Sequence, residues 1–122
     1  MEKIELIWKG ILTLDKATIS KLDDNISGIY RLSYKHIDTN IYVNYVGKTD
    51  DLKKQLLLHI SKEETNTCIK GFQSSSTCYF KYAQIKEGIQ KDIAYGLLHN
   101  FYQPNCNTDK PMVDENFTIN VN

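Results

Sequence analysis

Two short runs of β-forming residues dominate the apolar pattern, Gly28 to Tyr34 and Asn40 to Val46, separated by a polar connection holding His36, Asp38 and Asn40. That pattern predicts a β-hairpin with a loop longer than two residues. Gly47 breaks the second run, and Thr49-Asp50-Asp51 opens a helix, with Thr49 the expected N-cap and the acidic pair suited to the positive end of the helix dipole. Leu52, Leu56 and Ile60 recur at helical spacing and mark its inner face; Gln55 and His59 lie one turn apart on a neighbouring face. Thr77 to Ile85, rich in aromatics, reads as a third strand. Ile89 to Tyr102 reads as a second long helix, with Ile89, Ile93, Leu97 and Phe101 as its core stripe and Asp92, Tyr95, His99 and Tyr102 on another face. Gly96, in mid-helix, leaves room for another backbone to approach.

Weaker segments fill in the rest. Ile4 to Thr13 reads as one irregular strand around Trp8, with Gly10 interrupting it. Ala17 to Leu22 predicts a short helical turn, and Asp23-Asp24-Asn25 is turn chemistry. Glu63 to Thr67 reads as a polar break and Cys68 to Phe72 as a short helix. Pro104 stops the second long helix, and Phe117 to Val121 alternates like an edge strand, set beside Ile4 to Ile7. The expected fold class is therefore α+β: a small three-stranded antiparallel central sheet flanked by helices, with extra edge strands from the two ends. No repeat, linker or second domain is visible, so residues 1–122 form one expected domain.

The triplet Gly28-Ile29-Tyr30, followed about a dozen residues later by Tyr45-Val46-Gly47 and then a helix, resembles the GIY-YIG nuclease domain. The similarity runs from about Trp8 to Asn107 and closes on Pro104-Asn105-Cys106-Asn107, similar to the family's terminal Pro-x-x-Asn. The resemblance implies that Tyr30, Tyr45, Lys48 and His59 sit at retained catalytic positions, and that Gly47, His99 and Asn107 line the same cleft. Two positions depart from the family's pattern. Its arginine, eight residues beyond the glycine of the second triplet, is Gln55, and its metal-binding glutamate, nine residues before the closing proline, is Tyr95.

The chemistry implied by the resemblance is in-line attack of water on a phosphodiester, with the first tyrosine activating water, a divalent cation on the glutamate and the arginine steadying charge. A hard cation needs carboxylate oxygen, and a phosphorane-like charge needs a fixed cation. Gln55 and Tyr95 supply neither. The expectation is therefore a catalytically inactive GIY-YIG-like domain acting as a nucleic-acid- or protein-binding module, with no cofactor. The alternatives are an active Mg²⁺- or Mn²⁺-dependent endonuclease using Asp92 as a displaced carboxylate, and a protein-interaction or inhibitor module on a repurposed nuclease scaffold.

Charge bears on the partner. Fifteen basic and fifteen acidic side chains cancel, so any hold on DNA is expected to be weak unless a local patch provides it. No apolar run is long enough to cross a membrane, and Met1-Glu2-Lys3 does not open a signal peptide. Three cysteines without close pairing are expected as free thiols in a reducing cytosol rather than as a zinc site. A cytoplasmic protein is the expectation.

Overall fold

In a computed structural model describing residues 1–122, the expected hairpin is the centre of a larger sheet. Strands β1 (Glu2–Ile4) and β2 (Trp8–Thr13) lead into helix α1 (Lys16–Ser20). The hairpin strands are β3 (Gly28–Lys35) and β4 (Ile41–Thr49). Helices α2 (Leu52–His59) and α3 (Thr67–Ser75) follow, then β5 (Cys78–Gln84), α4 (Gly88–Tyr102) and β6 (Phe117–Ile119).

The central sheet has four strands in the order β2-β5-β3-β4, all neighbours antiparallel. The expected three strands are there. The fourth is β2, because the N-terminal segment is not one irregular strand. It splits at Glu5–Ile7: Trp8–Thr13 joins β5, while Glu2–Ile4 pairs in parallel with Phe117–Ile119 as a separate two-stranded sheet. The two chain ends therefore do meet, but as a separate two-stranded sheet rather than as edge strands of the central one.

Side-chain alternation along β3 divides the interior in two. Tyr30 and Leu32 face α1, α2 and α3, in a core with Ile19, Leu52, Leu56, Ile69 and Phe80. Ile29 faces α4 and packs with Val46, Ala83, Ala94 and Leu98. Each strand residue of β3 thus commits its side chain to one of two distinct environments.

Three expectations need correction. The N-cap of α2 is Asp51, whose side chain accepts from the Lys54 amide; Thr49 still belongs to β4, and its hydroxyl instead accepts from the Asp51 amide. The core stripe of α4 is not Ile89, Ile93, Leu97 and Phe101. Ile89 is 70% and Phe101 62% exposed, whereas Lys91, Ala94, Tyr95 and Leu98 are buried. Residues four apart wind about 40° further round a helix at each step, so that series leaves any straight stripe by its ends. The face turned inward instead carries Ala94 and Gly96 beside Lys91, Tyr95 and Leu98. A side chain at Gly96 would collide with the Met112 carbonyl, so the return segment after α4 can lie directly on this helix.

The third correction concerns the cysteines. Cys68, in the first turn of α3, and Cys106, beyond α4, form a disulfide, and only Cys78 is a free thiol. The pair is 38 residues apart, and no local pattern announces it. The cysteine count accordingly ceases to argue for a reducing compartment. No helix is long and apolar enough to cross a membrane.

Candidate functional site

Tyr30 lies in mid-strand on β3, opposite Gly47 of β4. A Cβ at position 47 would overlap the Tyr30 ring, so the glycine of the second triplet is the space that the tyrosine of the first triplet fills. Tyr30 is only 1% exposed. Its hydroxyl sits 2.7 Å from Nε2 of His59, the last residue of α2. Nδ1 of His59 is 2.7 Å from a Glu64 carboxyl oxygen. The other Glu64 oxygen accepts from the Asn66 amide at 2.9 Å, and Asn66 caps α3 while its side chain donates to the Cys106 carbonyl. With Nδ1 donating to Glu64, Nε2 accepts the Tyr30 proton, and every member of the chain has its partner.

Tyr45 and Gln55, both half-buried, complete this cluster beside the Tyr30 hydroxyl. The Tyr45 ring stands edge-on to His59, with centroids 5.2 Å apart. Burial sets the electrostatics. It pushes the Tyr30 hydroxyl well above the ordinary tyrosine range, with the Tyr45 neighbour adding to the shift. It raises Tyr45 as well. Burial lowers His59 against the opposing pull of Glu64. The neutral forms are favoured throughout, as desolvation requires.

A second polar group adjoins the first. The Tyr95 hydroxyl, from α4, donates to Asp109 at 2.7 Å. Burial, then this hydrogen bond, raises Tyr95 far above the usual phenol range. Burial pushes the Asp109 carboxyl up, but hydrogen bonds from Tyr95 and backbone outweigh it and leave it below the ordinary range. Asn107 mimics a strand against the edge of β4. Its Oδ1 accepts from the Val46 amide at 2.9 Å, and its Nδ2 donates to the Val46 carbonyl at 2.8 Å and reaches the Tyr95 hydroxyl at 3.3 Å. His99 lies beside Tyr95, ring to ring at 6.4 Å. Lys48 binds Asp92 at 2.7 Å at the exposed rim.

The residues expected from the sequence thus fall into two groups, one on the α2 side of the sheet and one on the α4 side. Tyr30, Tyr45, Gln55 and His59, with Gly47 beneath them, form the inner one. Tyr95, His99 and Asn107, with Lys48 and Asp92 at the rim, form the outer one. Sequence reasoning missed two carboxyl groups that hold them together, Glu64 and Asp109. Glu64 was hidden in a polar stretch read as a break; its only signal is its place five residues after His59 and two before Asn66, the N-cap of α3. Asp109 lies in an irregular segment beyond Pro104, where no periodicity applies.

The donor set does not suit the divalent cation that the resemblance implies. Tyr95 is a neutral donor to Asp109, Asp92 is bound to Lys48, and no three histidine, cysteine or acidic side chains converge closely enough to hold a metal ion. A hard cation calls for several oxygen ligands with carboxylate among them. Chemically, the arrangement is able to hold polar groups in fixed places and offers no counter-charge to a phosphodiester. Compared with protein-family models, curated proteins and solved structures, the chain matches none of them.

Proposed function

We propose that this chain is a GIY-YIG-like domain that has given up phosphodiester cleavage and acts by binding. The observation that carries this reading is the fate of the Tyr30 hydroxyl. It is buried and hydrogen-bonded to His59, which is itself hydrogen-bonded to Glu64. A tyrosine that activates water needs to meet that water. The two replaced positions support the same reading: Gln55 brings no charge to the tyrosine cluster, and Tyr95 is a hydrogen-bond donor where a metal would require an anionic oxygen. The Asp92 alternative is disfavoured because that carboxylate is neutralised by Lys48 at the surface.

The binding partner is a nucleic acid or a protein. A supercoiled plasmid incubated with purified protein and Mg²⁺ or Mn²⁺ is expected to stay intact, while gel shifts on DNA and RNA at low salt separate the two partner classes. Nicking that disappears in both Tyr30→Phe and Asp92→Asn would overturn the reading in favour of an active endonuclease. A blank gel shift at low salt would move the partner to protein.

A further inference from the structure

Arg31, the residue next to Tyr30, points to the opposite face of the sheet. It is buried, 7% exposed, at the bottom of a cavity of about 460 Å³ that lies past the end of α4. Ser33, Lys81, Val43, Ile11 and Tyr102 are among its lining residues. The guanidinium is clamped between aromatic rings, 4.7 Å from the Trp8 centroid and 5.3 Å from that of Tyr102. Its single hydrogen bond runs from Nη1 to the Val121 carbonyl at 2.7 Å.

No acidic side chain forms an ion pair with Arg31 or Lys81. Buried cations are ordinarily paired, because an isolated charge loses its hydration without compensation. This protein follows that rule elsewhere: Lys91, equally buried, bonds Asp50 and the Ser27 hydroxyl. Arg31 is the exception. Its remaining nitrogens are not sealed in the interior, since Asn44 Oδ1 is the one fully buried side-chain polar atom without a partner. Its free N–H groups therefore open on the cavity. The charge is also doubled there. Burial and then the neighbouring guanidinium draw the Lys81 ammonium below its ordinary range.

We propose that this cavity is an anion-binding site for a small organic oxyanion, a phosphate or carboxylate carried on a flat apolar body. The anionic end meets the free edge of the Arg31 guanidinium, Lys81 and the Ser33 hydroxyl. Guanidinium fits both oxyanions through paired N–H donors. The apolar body lies against Ile11, Val43 and Tyr102. The volume falls in the range of small-molecule sites and is too small for a folded partner. The inference is independent of the Tyr30 face and holds whether or not that face cleaves DNA.

Trp8 is the only tryptophan and touches the guanidinium, so its fluorescence reports on the site directly. The test titrates the full chain with phenyl phosphate, benzoate and, as the uncharged control, phenol. Saturable quenching or a spectral shift is expected with at least one anion and not with phenol, and the tighter anion identifies the headgroup. Lys81→Met, on a half-buried side chain, is expected to fold and to weaken binding about tenfold. Arg31→Gln is expected to abolish the response. If Arg31→Gln does not fold, the Lys81 variant decides. No saturable response to either anion, an equal response to phenol, or unchanged affinity in Lys81→Met would overturn the proposal.

Discussion

Tyr30 and Arg31 are neighbours on one strand and differ in how completely their surroundings answer them. The Tyr30 side is closed. Its hydroxyl, the His59 ring and the Glu64 carboxyl satisfy one another, and the Cys68–Cys106 disulfide and the Asn107 clamp lie across the same region. The Arg31 side is open. A guanidinium with one carbonyl partner stands in a cavity without an acid to pair with it. A polar network that is complete supports the fold; a buried charge left incomplete is a place for something else to bind. Of the residues expected to be catalytic, Tyr30, Tyr45, Gln55 and His59 are on the complete side, whereas Tyr95 and Lys48 lie toward α4.

The comparison is most severely strained by cutting the disulfide. Closing a loop of 38 residues restricts the unfolded chain, and the chain-entropy relation gives about 3–4 kcal/mol. Denaturant unfolding with and without reductant should show a loss of that order. A loss below about 1 kcal/mol would mean that the segment from Cys106 to Asp109 is held by its hydrogen bonds alone. Next comes Gly47→Ala. The added methyl runs into the Tyr30 ring, and the expected cost is roughly 1–3 kcal/mol. An unchanged melting temperature would show that the ring has room to move, contrary to a closed site.

The dependence on pH sharpens the contrast further. The folded pKa values of Tyr30, Tyr45 and Tyr95 lie above the ordinary value of 10.0. Above pH 10 the unfolded chain loses these protons while the folded chain retains them. Their contribution is therefore complete below pH 10 and is lost as pH rises toward the folded values. His59 works in the other direction: lowered from 6.5 by burial, its contribution is present above pH 6.5 and is lost on acidification. Chemical denaturation across both ranges should give a stability curve falling at each end. A flat curve above pH 10 would place these hydroxyls in water. The smallest effect belongs to the open side. Lys81→Met should alter stability by no more than about 0.5 kcal/mol, since Lys81 has no bonded partner to lose. A large loss would mean that Lys81 is structural and the cavity is not a free site.

Much of this architecture was legible from residue patterns. The β-formers around Gly28 and Gly47 and the aromatic strand at residues 78–84 lead to three of the four strands of the central sheet, because strand pairing and hairpin chemistry are local. The inner face of α4 was not legible. Ile89 and Phe101 are more apolar than Lys91, Ala94 and Gly96, yet they face outward, because the segment at Met112 needs to lie against the helix at Gly96. Glu64, Asp109 and the disulfide were hidden for a related reason. Each acts on a partner supplied by tertiary structure, and nothing in its own neighbourhood marks it. Alternation along β3 separates Tyr30 from Arg31, but it does not reveal that one would find its partners and the other would lack an acid.

The most direct measurement is a double-mutant cycle in thermal or denaturant unfolding, built from Tyr30→Phe, His59→Gln and the pair together. If the Tyr30 hydroxyl is spent on holding the fold, the cycle should yield a coupling of about 1–2 kcal/mol. Additive effects, with coupling near zero, would mean that the hydroxyl is not engaged by His59 and is free for chemistry, contradicting the account.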